Sequence, residues 1–178
     1  MVSITVGDHA ETSSPKAGDL ARESKSFWQW NPPRSLLASI RSHQHWRKSP
    51  WPWAPFFRKF AALRYKFWSV VTGSDIDITA SIGHGLSLPH PTGVVIHKDA
   101  VIGPDCLILS CVTIGTRVGK GAPVLGRHVD VGTGAKILGA IRIGDRAVIG
   151  ANAVVLTDIP AGATAVGVPA RVLPYNRQ

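Results

Sequence analysis

Acidic residues are scarce in this chain, and so are cysteine, methionine and long apolar runs. Only 11 Asp and Glu stand against 20 Lys and Arg in 178 residues, a formal net charge of +9. The two cysteines, Cys106 and Cys111, make no disulfide framework, and nothing in their placement demands an oxidising compartment. No segment holds about eighteen consecutive apolar residues, which excludes a spanning helix. The first residues show no basic start followed by an apolar run, so no secretory signal is read there and a cytoplasmic protein is expected.

The positive charge is unevenly spread. Residues 1–74 carry eleven Lys and Arg against four acids, a net +7, whereas residues 75–178 carry nine against seven, a net +2. A basic excess of this kind suits nucleic acid, an anionic membrane or an anionic ligand such as a nucleotide cofactor. No nucleic-acid-binding module accompanies it, so nucleic acid is not expected as a partner.

What the chain has in abundance is a period of six. A bulky aliphatic returns at Ile76, Ile82 and Leu88, then at Ile96, Ile102, Ile108 and Ile114, then at Leu125, Val131, Ile137, Ile143, Ile149 and Val155. Four residues after most of these stands a second apolar residue, as at Ala80, Ala100, Cys106, Val129, Ala135 and Ala147. Neither a 3.6-residue helix nor a two-residue alternation produces that spacing. A chain that turns a corner every hexad does, and three hexads then close one triangular coil. Stacked coils about 4.8 Å apart satisfy one another's backbone groups, so the strands form parallel sheets. About five coils are expected. Glycine after the aliphatic, as at Gly83, Gly103 and Gly132, is expected to serve corners that need permissive φ. Cys106 occupies a small inward position and reads as a packed thiol.

Before the repeat, residues 1–25 have the composition of a disordered leader. Residues 26–74 form an aromatic and basic segment that holds all six tryptophans and all five phenylalanines. Ser35 is placed as the cap of a short helix from Leu36 to about Trp46, which prolines 50, 52 and 55 then break. Phe56, Phe60, Leu63, Phe67 and Val70 recur at helical spacing and predict an amphipathic helix. Its apolar face is expected to cap the open end of the solenoid or to pack on a neighbouring subunit. Peripheral contact of residues 56–70 with an anionic membrane is the second reading.

Two loops interrupt the period. The first, Leu88 to Val95, adds two residues and holds His90 between two prolines, out of the core and on a rigid scaffold, where sites usually lie. The second, Gly115 to Val124, is rich in glycine and carries Arg117 and Lys120. Its spacing is one residue short of a phosphate-binding P-loop, Gly121 stands where Ser or Thr is required, and no helix pattern follows, so triphosphatase chemistry is rejected.

The hexapeptide repeat, the segment from Asp75-Ile76 to His90-Pro91-Thr92-Gly93, the run Gly132–Gly139 and the ending from Gly150 to Arg171 closely resemble bacterial serine O-acetyltransferases. The likeness covers about residues 75–173, taken as the acetyltransferase domain. It implies a left-handed parallel β-helix assembled as a homotrimer, with acetyl-CoA as the acetyl donor bound between coils of two subunits. Carried over by motif, the resemblance assigns His90 as the catalytic base and Asp75 as its partner. It assigns cofactor contacts to Gly115, Thr133, Gly134 and Ala151, and a phosphate-facing charge to Arg171.

Some positions depart from the family's pattern. The residue before the base is Pro89 rather than aspartate, and an Arg-His pair of the family falls on Gly121 and Ala122, with Arg127 and His128 a few residues on. Acetyl transfer to a small-molecule hydroxyl, L-serine first, is therefore expected, with a sugar hydroxyl as the alternative acceptor. A zinc site of the carbonic anhydrase type, drawing on His84, His90, His97 and His128, is a remote third reading, since no pair of them has an obvious ligand spacing. No metal is expected.

Overall fold

A computed structural model describes residues 30–117 and 121–173; the leader expected over residues 1–25 lies outside them. Two helices precede fourteen short strands. The strands stack into three sheets that form the sides of a prism. Face one holds β1 (Asp75–Ile76), β3 (Val95–Ile96), β6 (Thr113–Gly115), β9 (Lys136–Leu138) and β12 (Val154–Val155). Face two holds β2 (Ser81–Ile82), β4 (Val101–Ile102), β7 (Val124–Leu125) and β10 (Arg142–Ile143). Face three holds β5 (Leu107–Ile108), β8 (Asp130–Val131), β11 (Val148–Ile149) and β13 (Thr164–Val166), with β14 (Arg171–Val172) folded back on β13 as an antiparallel edge.

Every pairing between successive coils is parallel, and the architecture is the expected all-β parallel β-helix with a short α-helical appendage. From β1 to β12 the chain makes four full turns, and β13 carries it along a fifth. The hexad residues fall in register: Ile76, Ile96, Ile114, Ile137 and Val155 pair in sequence on face one. Ile82, Ile102, Leu125 and Ile143 do so on face two. All of these residues are buried, as are the second-position companions such as Ala80, Ala100, Val129 and Ala147. After the glycine-rich loop Leu125 regains its register opposite Ile102.

Glycine follows the aliphatic for a reason other than permissive φ. Gly83, Gly103, Gly132 and Gly144 do not adopt positive φ. They are glycines because the next coil leaves no room: a Cβ on Gly103 would lie 2.1 Å from the Gly126 carbonyl oxygen, and one on Gly144 would lie 2.3 Å from the Ala161 nitrogen. The left-handed conformation belongs instead to the turn residues, which stack along two edges. Gly85, Asp105, His128, Arg146 and Gly162 form one such column, between faces two and three. Gly93, Cys111, Gly134 and Asn152 form the other, between faces three and one.

Cys106 packs inside as expected. Its thiol donates to the Gly126 carbonyl at 3.2 Å, and burial pushes its pKa up to about 11, so it stays protonated near neutrality.

Helix α1 (Pro32–Lys48) starts four residues earlier than the sequence suggests. Asn31 is the cap, its Oδ1 accepting the Arg34 amide at 3.2 Å, and Pro32 and Pro33 fit the first turn because they have no amide to leave unpaired. Ser35 is inside the helix, buried, with its hydroxyl donating back to the Asn31 carbonyl. Leu36, Leu37 and Ile40 join the solenoid core, and the Arg41 guanidinium donates to the carbonyls of Ile82 and Gly83.

Helix α2 (Ala54–Thr72) does not cap the open coil with the stripe expected to do so. The cap on the open coil comes from Leu36, Leu37 and Ile40 of α1 and from Tyr65 and Trp68 of α2, while Ala54 and Ala61 are buried. The stripe Phe56, Phe60, Leu63, Phe67 and Val70 faces outward. A narrow side built on alanine lets α2 approach α1 and the first coil closely, which the bulkier stripe would prevent.

Steric and conformational roles of glycine separate in a stability measurement. Gly103→Ala should cost about 3 kcal/mol or more in urea unfolding, because backbone rather than a flexible side chain must move. Gly115→Ala, whose nearest neighbour would be 3.8 Å from the new Cβ, should stay within about 0.5 kcal/mol of the parent.

Candidate active site

The first coil is entered through Gly73, the left-handed cap that ends α2 with its amide donating to the Val70 carbonyl at 3.2 Å. That turn sets Ser74 and Asp75 at the edge between faces three and one. Asp75 is the outward residue of β1, its amide bonded to the Val94 carbonyl at 2.8 Å. The next coil reaches the same edge through the loop that holds His90: the Gly93 amide donates to the Gly73 carbonyl at 2.7 Å. The two residues by which this loop exceeds the period bulge outward, so His90 is exposed beside Pro89 while Pro91 tucks back under the coil.

Asp75 and His90 thus come to one edge, although among the described ion pairs and hydrogen bonds none joins them. Tyr65 stands behind Asp75, its hydroxyl donating to the Ile76 carbonyl at 2.7 Å. Burial, and then the carboxylates of Asp75 and Asp77, hold that phenol above its usual range.

Of the residues expected to contact the cofactor, Thr133, Gly134 and Ala151 continue the same edge. Gly134 stacks on Ser110 through a 2.9 Å amide bond, and Asn152 stacks on Thr133 through one of 2.8 Å, which puts Ala151 in the next tier. Thr133 and Ala151 are exposed. Arg171 follows the turn that closes the last coil, exposed and paired with Val166. Gly115 ends β6, two residues along face one from Thr113.

Lys136 was not singled out from the sequence. Its ammonium donates to the Cys111 carbonyl at 2.7 Å and to the Thr113 hydroxyl at 3.1 Å, a cation fixed beside this edge. Its outward direction was readable, since it precedes the buried Ile137.

Arg127 and His128 lie elsewhere. They occupy the edge between faces two and three, where Arg127 pairs with Asp145 at 3.5 Å and His128 Nε2 sits 3.8 Å from the buried carboxylate of Asp105. This second edge opens on a cavity of about 510 Å³ lined by Arg34, Ser87, Asp105, Leu107, His128 and Asp130. Within one chain neither residue reaches the edge of His90. Among the described residues no three His, Cys, Asp or Glu side chains converge as metal ligands, and His97 turns to Asp99.

No protein-family model matches the chain. Similarity to individual proteins is extensive: it is 49% identical over 110 residues to serine acetyltransferase of Helicobacter pylori strain J99, covering 60% of this chain and 64% of that protein. Over its repeat the chain is similar to the serine acetyltransferases. The Haemophilus influenzae enzyme of that name is 38% identical over 151 residues, 83% of this chain and 57% of the relative. A serine acetyltransferase solved in complex with CoA superposes with a TM-score of 0.68 at 37% identity, over 81% of this chain and 58% of that one. The chain therefore spans somewhat more than half the length of the serine acetyltransferases it matches.

Asp75 of the first strand and Asp77 just after it differ in what they hold. Asp77 Oδ1 accepts the Thr79 amide at 2.7 Å and the Thr79 hydroxyl at 2.6 Å, closing the turn after β1. Asp77→Ala should therefore cost about 1 kcal/mol of stability. Asp75→Asn, which removes no such contact, should leave the thermal midpoint where it is while lowering activity.

Proposed function

We propose that this protein transfers the acetyl group of acetyl-CoA to the hydroxyl of L-serine, as a cytoplasmic enzyme of cysteine biosynthesis. The observation that carries the reading is the shared edge: the loop of His90, the outward Asp75 and the tiers of Thr133, Gly134 and Ala151 stand in one column, in a chain with the relatives described above.

In this reading His90 takes the proton of the acceptor hydroxyl as its oxygen attacks the acetyl carbonyl, a task suited to an imidazole. Asp75 fixes the ring's tautomer and stabilises the imidazolium, closing on it when substrate is bound. Acetyl-CoA supplies a thioester, whose carbonyl is attacked directly without a covalent acyl-enzyme. Backbone amides near Gly115 meet the developing oxyanion, each such donor being worth about 3 kcal/mol. Exposed Thr133 and Ala151, with Gly134 between the coils, offer the cofactor a backbone-lined groove that runs toward Arg171.

The acceptor has a second reading on a specific observation. Pro89 brings no carboxylate next to His90, and Gly121 and Ala122 bring no Arg-His pair, so the charges of an amino acid have fewer partners within the chain. A sugar hydroxyl needs neither.

We further propose a homotrimer. A column of exposed backbone along one edge makes only one wall of a groove, and the Arg127–His128 edge of a neighbour would supply the other. Light scattering of the purified chain at micromolar concentration should give three times the chain mass, and a monomer would exclude the shared groove.

His90→Ala tests the base. Because the donor is held mainly by backbone in later tiers, acetyl-CoA affinity should stay within about threefold while kcat falls by about 10² or more. A variant turning over within about threefold of the parent rules this role out.

A further inference from the structure

Helix α2 offers to solvent the side chains that a core would ordinarily take. Phe56, Phe60, Leu63, Phe67 and Val70 recur every three or four residues and so form one row along the helix. They are 67, 55, 66, 56 and 83% exposed. Trp51 and Trp53, in the turn before the helix, are 64 and 67% exposed and lengthen the same surface. A contiguous apolar surface of this extent marks a docking site.

The charge around the row selects what docks. From Trp30 to Ser74 the chain has eight Lys and Arg and no acidic residue. Lys59 is three residues after Phe56 and four before Leu63, and Lys66 stands in the same relation to Leu63 and Val70, so these two exposed ammonium groups flank one border of the row. Arg64, four after Phe60 and three before Phe67, flanks the other.

A symmetric contact with a second copy would oppose these cations to themselves, with no carboxylate in the segment to offset them. Nucleic acid would satisfy the cations but would use separated aromatic platforms, leaving Leu63 and Val70 without a role. A headgroup layer meets both demands. The apolar row sinks to the acyl boundary, the lysine stems reach back to lipid phosphates, and tryptophan suits the interfacial depth.

We propose that the outer face of α2, with Trp51 and Trp53, binds the surface of an anionic bilayer with the helix in the interfacial plane. No helix among the described residues is long and apolar enough to cross a membrane, which fits a peripheral attachment. Ala54, Ala61, Tyr65 and Trp68 remain turned to α1 and the first coil, so docking requires no opening of the fold.

Flotation of the full chain with vesicles tests this. Vesicles of phosphatidylcholine with about 30 mol% phosphatidylglycerol should retain at least about tenfold more protein than phosphatidylcholine alone, and raising salt from about 0.1 to about 0.5 M should weaken retention. The double variant Phe60→Glu/Phe67→Glu should fall to background with its thermal midpoint and particle mass unchanged. Lys59→Glu/Lys66→Glu, which leaves the apolar row intact, should lose the preference for anionic lipid. The proposal is overturned if the parent does not float, or if the double variants float as well as the parent. It is also overturned if Phe60→Glu/Phe67→Glu lowers the particle mass, which would assign the face to contact between copies of the chain, or if a single-stranded oligonucleotide is held more tightly than anionic vesicles.

Discussion

Each coil of this protein must take its backbone partners from the coil beside it, about 4.8 Å away, and nearly every feature follows from that constraint. It requires one bulky aliphatic per hexad to fill the prism and a small residue at each second inward position. It also requires glycine wherever two backbones meet at a corner, as at Gly103 over Gly126. Deviations are tolerated only outward. The two residues added before Val95 leave Pro89 and His90 exposed, and the register of Ile96 and Leu125 is undisturbed.

The repeat was legible because its period belongs to no other architecture, and each of its aliphatics is buried where the hexads placed it. The reason for the glycines was not legible, because contact between backbones three or four hexads apart in sequence leaves no local trace. The helices were harder still. An outward stripe of Phe56, Phe60, Leu63, Phe67 and Val70 has the same spacing as an inward one, and only the narrow opposite side, with Ala54 and Ala61, shows which way α2 turns. Asn31 lost to Ser35 as the expected cap because the Pro32-Pro33 pair looks like a break until its missing amides are set against a first helical turn.

At the candidate site, the sequence could place His90 outside the core from its proline neighbours, but the pairing with Asp75 came from resemblance. The fold adds a physical link: Gly73 and Gly93 are hydrogen-bonded neighbours, so the end of α2 and the extended loop deliver the two residues to one edge. Lys136 escaped notice because an isolated lysine on a strand looks like a solvated charge until the Cys111 carbonyl and Thr113 hydroxyl are found beneath it. The same solenoid that orders this edge also carries Arg127 and His128 to a different one.

Acceptor-dependent release of thiol from acetyl-CoA tests the central claim most directly. The full chain is incubated with acetyl-CoA and, separately, L-serine, homoserine or a panel of sugars, and free CoA thiol is followed over time. The account predicts release that depends on L-serine and rises well above the rate without acceptor. Release no faster with any acceptor than without one, from protein that retains its fold, would contradict it.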